Sequence, residues 1–160
     1  MHRTARNALL IGSGALAALV AIGGTATAGG RPFAMALSGA QEVPANVHGH
    51  DDRGSVAVSL NQGQEEICFT LGAITLRSGE ALPTAGHIHR APAGVAGPVV
   101  VPLFGAGTAP TSYPTAERCV PAARDLVKEI RQNPGRFYVN LHNPSHPSGV
   151  VRGQLSGPGT

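Results

Sequence analysis

Charge is scarce in this chain. Only 13% of its 160 residues are Asp, Glu, Lys or Arg. Lys128 is the single lysine, and the arginines are scattered rather than grouped. That excludes the basic stripe by which a protein follows nucleic acid or an anionic membrane surface. The formal net charge of +3 overstates even this, because Arg3 and Arg6 lie in a removable N-terminal segment. Without them the chain carries ten basic against nine acidic side chains, a formal +1. Catalytic signatures are missing as well. There is no GxSxG elbow, no phosphate-cradling glycine loop and no HExxH. Carboxylates are few, and Cys68 and Cys119 are the only cysteines. They stand 51 positions apart, too far for the closely spaced pair of a redox motif.

The N-terminus has a different character. Arg3 and Arg6 precede an apolar run of small residues, Leu and Ile over 8–22. Ala26-Thr27-Ala28 then places small side chains at the two positions that a signal peptidase reads. The run is shorter than the roughly 20 residues of a spanning helix and rich in Gly and Ala. We read residues 1–28 as a signal peptide, the competing reading being a retained N-terminal anchor. Residues 29–160 then form one exported domain with no membrane segment after cleavage. Such a domain is large enough to fold without a cofactor. Export places the two cysteines in an oxidising compartment, where a structural Cys68–Cys119 disulfide is expected.

The chain has 22 glycines and 13 prolines, and they fall between short apolar runs. That is the punctuation of an antiparallel β protein. Side chains alternate over 33–37, 55–60, 66–71, 86–89, 99–103, 136–142 and 150–155. This predicts a mainly β fold, a Greek-key sandwich of about seven or eight strands. Val56, Val58, Ile67, Phe69, Ile88, Val99, Val101, Val139 and Leu141 are its expected core. One segment breaks the pattern. Leu126, Val127 and Ile130 recur at helical spacing over 121–132, with Pro121 suited to a first turn and Asn133-Pro134-Gly135 ending the run. Residues 105–117 read as an exposed loop.

Histidine stands out from this background. His87-Ile88-His89 lies in a predicted strand, so both imidazoles face one side while Ile88 faces the core. Two imidazoles side by side make half of a copper or zinc site, or simply a solvated strand face. His142 lies on the polar face of the series Tyr138, Asn140, His142 and can supply a third ligand. Three ligands with an open position are an accepted metal geometry. His48 and His50 form a second HxH in a loop of Gly, Asn and Asp, and His146 sits in a turn. Solvation explains these three, and they are also candidate fourth ligands. Glu42 lies in an apolar setting and is expected to pair with an arginine, Arg152.

Several segments together resemble the chordin-type domain called CHRD. They are Leu37-Ser38-Gly39-Ala40-Gln41-Glu42-Val43-Pro44, Ala85-Gly86-His87-Ile88-His89, Asn133-Pro134 followed by Tyr138-Val139-Asn140-Leu141-His142, and Pro147-Ser148-Gly149-Val150-Val151-Arg152-Gly153-Gln154-Leu155. They stand in the family's order over about residues 33–155. The resemblance implies a secreted bacterial module of the kind also found in animal chordin, a protein that binds growth factors. For stand-alone members it implies no particular activity. The chain is more weakly similar to Cu,Zn superoxide dismutase, which also carries an HxH strand, a late copper-binding His and an Arg near the C-terminus. His87, His89, His142 and Arg152 match that order. Between His89 and Cys119 there is no His and no Asp, so that family's zinc subsite has no counterpart. The expectation is a secreted, non-catalytic binding module with an unidentified extracellular partner and a copper site at His87, His89 and His142. The alternative is a copper redox enzyme resembling superoxide dismutase.

Overall fold

The computed structural model describes residues 32–45 and 51–156. The expected signal segment, the His48/His50 pair and residues 157–160 lie outside the described residues. Eight strands follow one another: β1 (Phe33–Ser38), β2 (Arg53–Asn61), β3 (Glu66–Leu71), β4 (Ala85–Arg90), β5 (Val99–Phe104), β6 (Arg118–Pro121), β7 (Phe137–Asn143) and β8 (His146–Gln154). One helix, α1 (Arg124–Gln132), joins β6 to β7.

The strands pair in the order β5-β4-β7-β8-β1-β2-β3-β6, every pairing antiparallel. β8 and β1 share only one register pair, Arg152 opposite Ser38. The sheet therefore folds at that point into two four-stranded halves. Its outer strands, β5 and β6, meet on the far side. The chain crosses between halves after β3, β5 and β6, leaving one sheet and returning to it in Greek-key manner. The mainly β sandwich expected from the alternation is the fold observed. Val58, Ile67, Phe69 and Leu71 of one half face Ile88, Val139, Leu141 and Val151 of the other, all essentially without solvent contact. α1 closes one end by burying Val127 and Ile130, as its spacing predicts.

Two local expectations are corrected. Pro121 does not open the helix, which begins at Arg124; it ends β6, a short edge strand absent from the alternation analysis. Cys119 pairs directly with Cys68 across β3 and β6, and an edge strand tolerates a proline because its outer N–H has no partner to lose. Val99 is not core, being 48% exposed. The ladder runs Ile88 opposite Val101 and then His89 opposite Val99, so Val100 is an extra residue. This bulge turns Val99 out of the core and onto the face that carries His89.

Cys68 and Cys119 form the expected disulfide. It ties edge strand β6 to β3 and closes a loop of 51 residues. Loop-closure entropy gives such a link roughly 4 kcal/mol. The double substitution Cys68→Ala, Cys119→Ala should lower the unfolding free energy by about 2–4 kcal/mol. Urea denaturation checks this, and an unchanged midpoint would contradict it.

Candidate metal centre

The site grows out of one strand pair. β4 and β7 align with Ala85 opposite His142, His87 opposite Asn140 and His89 opposite Tyr138. Alternation sends Ile88, Val139 and Leu141 into the core. His87, His89, Tyr138, Asn140 and His142 share the other face. His142 lies diagonally from His87, and small Ala85 leaves it room. The imidazole centroids of His87 and His142 are 4.9 Å apart, and those of His87 and His89 are 5.7 Å apart. One ring nitrogen from each of the three lies within 4.8 Å of the others. The structure therefore brings together the three histidines expected to share a site.

Their second nitrogens explain the orientation. His89 Nδ1 lies 2.9 Å from the carbonyl of Gly97, and His142 Nδ1 lies 3.1 Å from that of Pro147. A carbonyl only accepts, so each Nδ1 carries the hydrogen. In the neutral ring the lone pair then sits on Nε2. Those two Nε2 atoms and His87 Nδ1 are buried without any partner. Burial pushes all three imidazoles below their usual pKa. His142 is lowered to about 4, helped by the neighbouring His87. Three clustered imidazoles, two of them anchored to backbone carbonyls through Nδ1, have the form of a metal ligand set with part of its supporting shell.

Behind the histidines lies a polar layer that period-two counting does not reveal. Tyr138 stacks on His89 with centroids 4.7 Å apart and planes 10° from parallel. Its hydroxyl accepts the Gly97 N–H at 3.1 Å, so it also steadies the residue that holds His89. A Cβ at Gly97 would collide with the Arg90 carbonyl, so only glycine lets this loop lie so close. Arg152 lies over the other face of Tyr138, its guanidinium carbon 3.4 Å from the ring centroid. It is 2% exposed and donates to the carbonyls of Val95 and Pro92. Arg152 thereby ties down the loop that contains Gly97. The signal for Tyr138 was present in its place on the polar face of the strand. Gly97 gave none, since it lies in a loop.

Glu42 differs in detail from its expectation. No direct ion pair joins it to Arg152 among the described residues. Its Oε2 accepts from Asn140 Nδ2 at 3.2 Å, and Oε1 is buried without a partner. Burial pushes its carboxyl up to about 7, against the lowering pull of Asn140 and of the Arg152 charge. His146 is not brought to the three histidines. Its ring meets Arg77 at 2.6 Å and Glu80 at 3.2 Å. Glu66, Cys68 and Cys119 also cluster, but the disulfide removes their thiolates from metal chemistry.

Comparison with known proteins adds one decisive finding. The sequence profile of the CHRD domain matches residues 33–155. The chain belongs to the CHRD domain family. The match covers every strand and the whole histidine cluster of this CHRD domain. No curated protein matches the chain, and no solved structure does. The likeness to Cu,Zn superoxide dismutase therefore rests on the order of a few residues.

The lowered histidine pKa values make metal-free stability depend on pH. The unfolded chain binds a proton at His142 near pH 6.5, whereas the folded chain refuses it until about pH 4. Acidification through that window favours the unfolded state. His142→Gln removes that residue's share of the effect. The stability difference, wild type minus variant, should shrink as pH falls from 7 to 4.5 in urea titrations with chelator present. A difference independent of pH would contradict the assigned burial.

Proposed function

We propose that this CHRD domain is an exported, non-catalytic module that binds one copper ion at His87, His89 and His142. The observation that carries the reading is a cluster of three imidazoles, one ring nitrogen of each within 4.8 Å of the others, in which every ring also has a buried nitrogen without a partner. A buried polar atom without a partner costs about 1–3 kcal/mol. A metal ion satisfies all three at once. Nitrogen donors suit copper and zinc, and copper(II) binds more tightly than zinc at comparable sites. Export is supported by the N-terminal pattern and by the disulfide.

Access also bears on the choice between binding and catalysis. The three histidines line an open depression of about 530 Å³, walled by Val99, Pro144 and Pro147 among others. No Lys or Arg is among its described lining residues. A redox enzyme working on superoxide needs a positive entrance to gather its anionic substrate. The neutral, partly apolar mouth supports a binding role over the dismutase-like alternative.

Calorimetric titration of the purified protein with copper should show one ion per chain. The double substitution His87→Ala, His89→Ala should abolish tight binding and leave the β circular dichroism unchanged. Both side chains lie outside the apolar core. Binding that is absent, or indifferent to the double substitution, would reduce the histidines to a polar face.

A further inference from the structure

The site has a charge character that its ligands alone do not explain. All three donors are neutral imidazoles, and among the described residues no carboxylate or thiolate belongs to the cluster. A buried positive charge lies behind it. Arg152 is buried, makes its hydrogen bonds to Pro92, Val95 and Gln154, and has no carboxylate in direct contact among the described residues. It stacks on Tyr138, and Tyr138 stacks on His89. A guanidinium, a phenol ring and an imidazole thus form one continuous stack that ends at the site. The one buried carboxylate nearby, Glu42, bonds to Asn140 instead.

We infer that the site is built to hold copper as copper(I), and that the buried Arg152 charge, set behind His89 through Tyr138, gives it that preference over copper(II). This rests on the copper reading above. The physical argument has three parts. The electrostatic penalty of burying an ion rises steeply with its charge, so a site without anionic ligands favours the singly charged state. Copper(II) tends toward tetragonal coordination, which three histidines leave incomplete. A fixed positive charge in a low-dielectric interior repels the doubly charged ion more than the singly charged one. Supporting-shell charge and burial are recognised means of setting a metal's potential.

The experiment measures both affinities of the purified protein at pH 8. Competition with bicinchoninate reports copper(I), and competition with glycine reports copper(II). Wild type should bind copper(I) more tightly. Arg152→Gln should lower the ratio of the two affinities about tenfold, which is about 59 mV for a one-electron couple. Arg152→Lys should keep the ratio near that of wild type, because it keeps the charge. Glu42→Gln should move it the other way, because it removes the one negative group close to Arg152 among the described residues. Opposite shifts from two neighbouring substitutions are not what loosened packing would produce. If Arg152→Gln does not fold, the wild-type ratio and the Glu42→Gln shift still decide. Tighter copper(II) binding by wild type would overturn the inference. So would a ratio unmoved in folded Arg152→Gln, or a Glu42→Gln ratio that fails to rise. Failure to bind copper in either state would instead overturn the copper reading itself.

Discussion

A buried ring nitrogen without a hydrogen-bond partner is a rare and unfavourable arrangement, and here three neighbouring imidazoles each have one. The arrangement survives because two of the rings are held from outside. His89 and His142 give their Nδ1 hydrogens to backbone carbonyls, which leaves Nε2 as the only inward atom. The strands fix the third ring, since His87 must share a face with His89. Rotating either anchored ring to satisfy its orphan nitrogen would break a hydrogen bond already made. The cluster is therefore organised by the protein alone. Its burial also keeps the rings unprotonated, which is the state a metal requires.

That constraint reaches across the sandwich. The face opposite the core would ordinarily be solvated in an antiparallel sheet. In this half it is roofed by the loop between β4 and β5. Arg152 and Gln154 of β8 hold that roof through the carbonyls of Ala91, Pro92 and Val95. The roof in turn presents Gly97 to His89 and to Tyr138. A mostly hydrophobic fold thus carries a second, polar interior behind its histidine-bearing face. Gly149 serves the same layer with φ 140°, since a side chain there would meet Glu42 and Asn140.

Seven of the eight strands, the disulfide and the three histidines were legible because each depends on local pattern. Alternation at His87, Ile88 and His89 sorts the two faces, and an even pair of cysteines in an exported chain points to a bridge. What escaped depends on partners far away in the chain. Val99 reads as core by counting twos, and only the register against β4 shows the bulge that turns it outward. Pro121 reads as a helix start, yet its position is set by Cys119 pairing with Cys68. Arg152 was expected to meet Glu42 as an ion pair. In the fold, Tyr138 and a set of loop carbonyls take the guanidinium instead. No single-segment pattern encodes such contacts, because they form only when the β4–β5 loop folds back over β8.

The account stands on three imidazoles converging on one ion. X-ray absorption at the copper edge of the loaded protein measures that directly. It should show about three nitrogen scatterers near 2.0 Å with the outer-shell pattern of imidazole rings and no sulfur. A first shell of oxygens, or a shell with one imidazole or none, would contradict the account.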